Sequence, residues 1–522
     1  MRHPLFPSSL RMGAREAGGV VSCLRRGARE AGGVVSSLRR GARKAGGVVL
    51  AAVLLCGCMV GPDYVRPEID TPKTWRFEDR EVRDLANTAW WEQLQDPVLN
   101  DLIRTALAEN NDARIAAARV EEFYGRLGAT RSQLFPQVGA EALAGRQRAS
   151  ERTPLGAPPQ NPYNTVQLDA FASWEIDVFG RLRRLTESAR ADLLATDEGR
   201  SATILTLVSS VATVYVNLRD LDKQLEISQS TVDTRFNTLK LFEARFKGGV
   251  VSELELAQAR SEYESAAATI PALEQAIAQT ENALSVLLGR NPGPIPRGRA
   301  IDDLTLPGVP AGLPSDLLTR RPDLRQAEQN LIAANANIGA AKALYFPTIS
   351  LTGLFGVAST SLSGLWSSPA RMWSYAGAAS GPIFTAGGIP GQVRAAEAQQ
   401  KQALYSYQRS ILIAFQEFED ALVGSQKIRV QLGAQGRQVA ALSDYARLAR
   451  LRYDAGYTSY LEVLDAERSL FTAQLQYAQT QGNSFVQSIN LYKAMGGGWV
   501  IEADKLAPQP TVDITQNPRP FP

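Results

Sequence analysis

Histidine is almost missing from these 522 residues, and cysteine is scarce: His3, Cys23, Cys56 and Cys58 are all there are. All four lie at the extreme N-terminus. The remaining chain therefore cannot build a His/Cys metal site, a Ser-His triad or a disulfide. No glycine loop follows a strand in the manner that cradles phosphate. A carboxylate hydrolase needs one dry carboxyl beside a second, and no cleft-like context offers that. The expectation is a protein with no catalytic residues, no metal and no cofactor, and so not an enzyme. A surplus of positive charge is missing too. Ten of the Lys and Arg but only two acidic residues fall within positions 1–57, which leaves 46 basic against 51 acidic residues beyond them. That balance argues against nucleic acid as a partner.

The longest N-terminal apolar run, Val48 to Leu55, follows a basic stretch and is too short to span a bilayer as a helix. It ends in Leu55-Cys56-Gly57-Cys58, the form of a lipoprotein cleavage site. The small Gly57 before it makes Cys58 the expected lipidation site, and Met59 in the next position favours sorting to the outer membrane. A fourteen-residue repeat starts at Gly13, Gly27 and Gly41; a duplication or an overextended start explains it better than function does. Residues 1–57 are accordingly read as a signal peptide with a repetitive basic extension, and 58–110 as a lipid-anchored segment.

The rest consists of two copies of one unit. Asn111-Asp112 through Phe135-Pro136 matches Pro322-Asp323 through Phe346-Pro347, and Arg245 through Ser252 matches Arg452 through Ser459. The first repeat spans 111–290, a Pro/Gly-rich linker 291–320, and the second repeat 321–497. The Pro-rich tail, 498–522, reads as disordered. Each repeat reads helix, strand, strand, very long helix, helix. The long helices, about 180–247 and 391–454, would each measure roughly 100 Å. Return helices follow at about 252–288 and 459–495. Rods of that length suit a tube rather than a compact globule.

The strands, at about 137–148, 164–178, 348–358 and 372–384, alternate with a period of two. Val166, Leu168, Ala170, Ala172, Trp174, Ile176 and Val178 share one face. Gln167, Asp169, Ser173, Glu175 and Asp177 share the other, with Phe171 the exception. Lipid outside and water inside require that pattern. In the third strand Ile349, Leu351, Phe355 and Val357 alternate with Thr348, Ser350 and Thr352; Trp373 and Tyr375 suit an interface girdle. Four strands cannot close a barrel in lipid, where every backbone group needs a partner. Several chains must pool theirs. The loops Glu151–Pro162 and Thr360–Ala370 would cap the outer mouth.

Cys58 through Pro67, Trp90-Trp91 through Ile103, Arg320-Arg321-Pro322-Asp323-Leu324, Phe346-Pro347 and Ala455 through Asp465 together resemble TolC-like outer-membrane efflux lipoproteins of the nodulation-protein-T type. The resemblance covers about 58–500. It implies a mainly α chain with a two-fold internal repeat. Three chains would form a twelve-stranded β-barrel continuous with a periplasmic α-helical barrel. It further implies a homotrimer anchored in outer-membrane lipid, docked to a periplasmic adaptor and an inner-membrane exporter of the proton-driven resistance-nodulation-division kind. The expected function is the outer-membrane duct of a tripartite system exporting drugs or small amphiphiles. The alternative is a duct for ATP-driven type I protein secretion.

The turns Gly248-Gly249 and Ala455-Gly456 should form the periplasmic tip, since glycine permits the reversal. Gly248, Gly249, Gly456, Thr458 and Ser459 are the expected adaptor contacts. Six residues past the last glycine of each turn stand Glu255 and Glu462, and Asp465 shares the helical face of Glu462. In the family these positions line the constriction that closes the resting channel, with Leu461 as an apolar plug. Arg452 and Tyr453 are the latch candidates, although the family often has a basic residue where this chain carries Thr458. Rings of like charge there would favour cations.

Overall fold

The computed structural model describes residues 59–69, 72, 89–152, 159–306, 314–496 and 499–518. Cys58, the signal peptide and the fourteen-residue repeats lie outside them, as does part of the first outer loop.

A short 3-10 turn, Trp90–Leu94, leads into α1 (Pro97–Glu109), α2 (Asn111–Ser132), β1 (Gln137–Gln147) and β2 (Tyr163–Ile176). Then come α3 (Arg181–Lys247), α4 (Glu253–Ala267), α5 (Thr269–Leu287), α6 (Pro314–Arg320) and α7 (Pro322–Ala343). The chain finishes with β3 (Thr348–Ser359), β4 (Arg371–Ser380), α8 (Gly388–Asp454), α9 (Tyr460–Ala494) and α10 (Trp499–Asp504). Both repeats thus carry helix, two strands, a rod and a return. The rods α3 and α8 have 67 residues each, or about 100 Å. Each starts from a glycine in the left-handed region, Gly180 at φ +79° and Gly387 at φ +86°, where a side chain would be strained.

The return of the first repeat differs from its twin. It breaks between Ala267 and Thr269, because Pro271 offers no N–H and crowds the carbonyl four residues back. The return α9, with Ala478 at the matching place, runs unbroken for 35 residues.

The four strands form one antiparallel sheet in the order β1-β2-β3-β4. Ala140 faces Ala170, Ala170 faces Phe355, and Phe355 faces Trp373. Residues paired across a ladder share a face, so the apolar alternations coincide over the whole sheet. Val138 to Ala144, Val166 to Ile176, Ile349 to Val357 and Trp373 with Tyr375 make one apolar side. Strands of 10 to 14 residues are long enough to cross a bilayer when tilted. The outer strands β1 and β4 each keep one unpaired edge.

Nearer the sheet the helices lie in the order α2-α3-α7-α8; at the far end the order is α4/α5-α3-α9-α8. Four rods in cross-section make a slab, with α8 on one flank and α2, α4 and α5 on the other. Between the two levels sits the main core. Trp90, Trp91, Leu99, Ile103, Val208, Val211, Tyr215, Phe485, Tyr492 and Trp499 are buried there. Trp90 stacks on Tyr492 at 5.5 Å, and Trp499 meets both Trp90 and Trp91 edge-on. Among the described residues one helix, α3, contains a stretch apolar enough to cross a membrane, but that stretch fills this core. Asp96 pins the level together: it caps α1 at Val98 N (2.9 Å) and accepts from Tyr215 Oη (2.7 Å) and Arg299 N (3.1 Å).

Over residues 499–518 the structure corrects the expectation of a disordered tail. Trp499, Val500, Ala503 and Ala507 are buried, and Arg200 pairs with Asp504 at 2.7 Å. Beyond them the tail lies along α2 and α3. Thr511 N donates to Glu121 (2.7 Å), Ile514 packs on Val120 and Leu127, and Arg131 donates to the Pro518 carbonyl (2.6 Å). Apolar Trp, Val and Ile among the prolines give the segment enough surface to bury, which a reading of proline content alone overlooks.

Candidate periplasmic gate

The end of the slab farthest from the sheet consists of two hairpin tips built on one plan. At the first, Val250 N bonds to the Arg245 carbonyl (2.9 Å) and Gly249 N to Phe246 (2.9 Å). At the second, Tyr457 N bonds to Arg452 (2.9 Å) and Gly456 N to Tyr453 (2.9 Å). This six-to-one bond with a left-handed residue inside it satisfies the last helix carbonyls. Gly249 (φ +71°) and Gly456 (φ +79°) supply the left-handed residue.

The two carboxylates at matching positions are held differently. Glu255 closes a capping box: its Oε2 accepts from Ser252 N (2.9 Å) and Ser252 Oγ, while Glu255 N donates to Ser252 Oγ (3.3 Å). Such a box satisfies two orphan donors of the new helix. Ser459 makes no such side-chain bond. Glu462 turns instead toward the preceding rod, where Arg452 Nη1 donates to it at 2.8 Å and Thr458 Oγ1 also donates. Asp465, one turn on, accepts from Tyr445 Oη at 3.5 Å. The Tyr445 phenol is held above its ordinary value, first by lost hydration and then by the Asp465 and Glu462 carboxylates.

Leu461 points outward and is 62% exposed. Tyr453 does not; it lies in an aromatic cluster with Phe242 (6.2 Å) and Tyr460 (5.3 Å), while Phe242 and Tyr460 meet at 4.3 Å. That cluster, with Leu239, Ala259, Val463 and Leu464, ties α3 to both returns. The structure therefore joins Arg452, Thr458 and Glu462, sets Asp465 one turn away, and leaves Glu255 in the first tip.

Sequence reasoning missed a second layer one to three turns further in. Arg235 is buried and contacts Glu262 at 3.1 Å, and Arg468 reaches the same carboxylate from α9. Arg450 approaches Glu467 at 3.8 Å. Burial drives the Glu467 carboxyl above its ordinary value, against the pull of Arg450 and Arg235. The only signal was a run of opposite charges on helices that would meet, and one sequence does not say which faces meet. A polar cavity of about 250 Å³ lies well away from the tips, lined by Arg66, Glu198, Arg325 and Glu328. There burial pushes Glu198 up to about 7 despite Arg325. Among the described residues no His, Cys, Asp or Glu group is arranged to hold a metal.

A family model described as "Outer membrane efflux protein" matches residues 102–290 and 313–497. Each matched segment contains one of the two repeats. The solvent efflux pump outer membrane protein SrpC of Pseudomonas putida is 37% identical over 463 residues, covering 87% of this chain and 98% of that protein. The cation efflux system protein CusC of Escherichia coli is 36% identical over 457 residues, covering 86% and 97%. The crystal structure of CusC superposes with a TM-score of 0.76 at 35% identity, over 84% of this chain and all of that one. The open-state structure of the Neisseria gonorrhoeae MtrE outer membrane channel gives 0.77 at 31%, over 85% and 99%. With both repeats matched and the fold shared, the chain belongs to the outer membrane efflux protein family: it is an outer-membrane efflux channel whose strands serve a β-barrel and whose helical part extends into the periplasm.

Proposed function

We propose that three copies of this chain form one duct, gated at the paired tips, through which an inner-membrane exporter sends small amphiphiles out of the cell. The two unpaired sheet edges carry the three-copy reading. In lipid an unpaired edge costs several kcal/mol per backbone group, and the smallest membrane barrels use about eight strands. Three copies supply twelve, and the four-rod slab becomes a ring of twelve. Leu412, Val430 and Leu451 on α8 and Val286 on α5 are exposed in the single chain; closing the ring would cover apolar side chains of this kind.

The gate is the second tip. Arg452, Thr458 and Glu462 hold the start of α9 to the end of α8, Asp465 rests on Tyr445, and Leu461 projects from the same turn. Repeated by three-fold symmetry these become rings of carboxylate and leucine. Glu255 stands outside this gate, since its carboxylate caps α4. A periplasmic adaptor would bind the turns Gly248-Gly249 and Gly456 to Ser459 and favour the released state, and a proton-driven exporter of the resistance-nodulation-division kind would sit below. Opening then follows from the adaptor's differential affinity for two states. No catalytic step is part of this reading, and Cys58 would carry the lipid anchor. Relatives named for solvent and cation efflux support small cargo over secreted protein.

Accumulation of a fluorescent amphiphile tests the export role. Cells lacking the gene should retain more dye, and a plasmid copy should restore the lower level. Retention unaltered by either manipulation, in a strain without another duct of this family, sinks the small-molecule reading and leaves protein export.

A further inference from the structure

Closing a ring leaves open how one copy meets the next. The internal repeat answers this, on the reading that three copies close the barrel. Two landmarks tie the repeats together: Phe135-Pro136 corresponds to Phe346-Pro347 before β1 and β3, and the helix-starting Gly180 corresponds to Gly387 after β2 and β4. The sheet register agrees with both. Gln137 faces Ser173 in the first repeat, and the corresponding Thr348 faces Ser380 in the second. Within a chain the strand seam between repeats is β2 against β3, where Ile176 faces Ile349, Phe171 faces Leu354 and Leu168 faces Val357. Carrying that seam forward by the same correspondence gives the seam between copies.

We infer that β4 pairs antiparallel with β1 of the next copy in one defined register, Ala378 opposite Leu143 of the next copy and Gly377 opposite Ala144 of the next copy. Toward the outer rim this sets Tyr375 opposite Arg146 of the next copy, and Trp373 opposite Arg148 of the next copy. Toward the periplasm the ladder ends near Ser380 and Glu141 of the next copy. Pro382 cannot donate there, and Ile383 meets Val138 of the next copy side chain to side chain.

Features of the single chain already fit these partners. β2 runs three residues past Ser173, the last of its residues paired with β1, because β3 holds it as far as Ile176. The corresponding residues Gly381, Pro382 and Ile383 have no strand beside them. Ile383 is fully exposed at 103%, and Val138 stands at 77%. Trp373 and Tyr375 stack at 5.8 Å and stay 68% and 81% exposed. A guanidinium over such rings is a favourable cation–π arrangement. Opposite residues on paired strands lie about 4.5–5.5 Å apart, and diagonal ones about 7–8 Å. Register is strongly specified wherever the two faces differ in polarity.

Cysteine pairs in the full-length protein, oxidised in outer-membrane preparations, read the register directly. Leu143→Cys with Ala378→Cys should give reducible dimers and trimers, and so should Ala144→Cys with Gly377→Cys. Gly145→Cys with Ala378→Cys, two positions out on the same face, should give at most about a tenth as much, since a disulfide does not span the diagonal. Stronger linkage in the displaced pair overturns the register. Absence of linkage in every pair, in protein that an amine crosslinker still captures as a trimer, also overturns it. The same absence in protein captured only as a monomer overturns the three-copy reading itself.

Discussion

The two hairpin tips share backbone and sequence spacing but not bonding. In the first, the carboxylate six residues past the glycine closes on its own serine. In the second, the same position reaches across the turn to Arg452 and Thr458. A capping box stabilises one helix end and has no consequence for neighbouring rods. An ion pair between the end of one rod and the start of the next couples their positions. Repetition therefore produced one tip that is closed on itself and one whose geometry depends on a breakable contact. Identical spacing did not decide this, and neither did the arginine, which both tips carry as Arg245 and Arg452. The difference lies at Thr458, a hydroxyl donor where the first tip has Val251.

That difference is sharpest in conductance. Arg452→Ala removes a contact that is half-exposed on the arginine side, worth about 0.2–1 kcal/mol. Over three copies the sum is about 0.6–3 kcal/mol, a rise in the open fraction of roughly threefold to a hundredfold. Asp465→Ala should act in the same direction by freeing Tyr445. Single-channel recording in planar bilayers measures both, and unchanged conductance and cation preference in both variants would remove the gate from the second tip. Glu255→Ala should leave conductance at its original level, and a rise equal to that of Arg452→Ala would erase the distinction between the tips.

A smaller effect of the first tip lies in stability. Losing the Glu255 half of the capping box in Glu255→Ala should cost about 0.3–1.5 kcal/mol at the start of α4. Faster hydrogen exchange of the amides of residues 253–256 reports it, with the start of α9 unaffected. Equal loosening of both returns would show that the tips are one cooperative unit.

Much of this architecture was legible in the sequence because it rests on periodicity. The expected rod 180–247 is Arg181–Lys247, and the expected strand 164–178 is Tyr163–Ile176; alternation over a dozen residues and a glycine at each rod start leave little freedom. The second rod begins a little earlier than expected, at Gly388, because Pro390 falls within a first turn that needs no donor there. The single return expected over 252–288 is instead two helices broken ahead of Pro271, a proline the reading by periodicity passed over. What stayed hidden depends on tertiary neighbours. The partner of Glu462 is ten residues away across a turn, and Glu262 draws Arg235 and Arg468 from two separate helices. The tail shows the same limit, since Trp499 is buried against Trp90 from the opposite end of the chain.

The least effect in this comparison belongs to the layer behind the second tip. Glu467 is half-buried with its proton affinity raised above the ordinary 4.5, and Arg450 at 3.8 Å offsets this only in part. A carboxyl whose folded value is raised favours the folded state while protonated. That contribution is complete below about pH 4.5 and declines as pH climbs through the folded value. At neutral pH the ionised group is a burden, so Glu467→Gln should leave stability unchanged or raise it by about 0.5–1 kcal/mol. It should also flatten the pH dependence above about 4.5. Thermal unfolding of the detergent-solubilised channel between about pH 4 and 8 measures this. A variant that is less stable than the parent at neutral pH would mean that the pairing with Arg450 outweighs burial, making the second tip an ion-paired structure two layers deep.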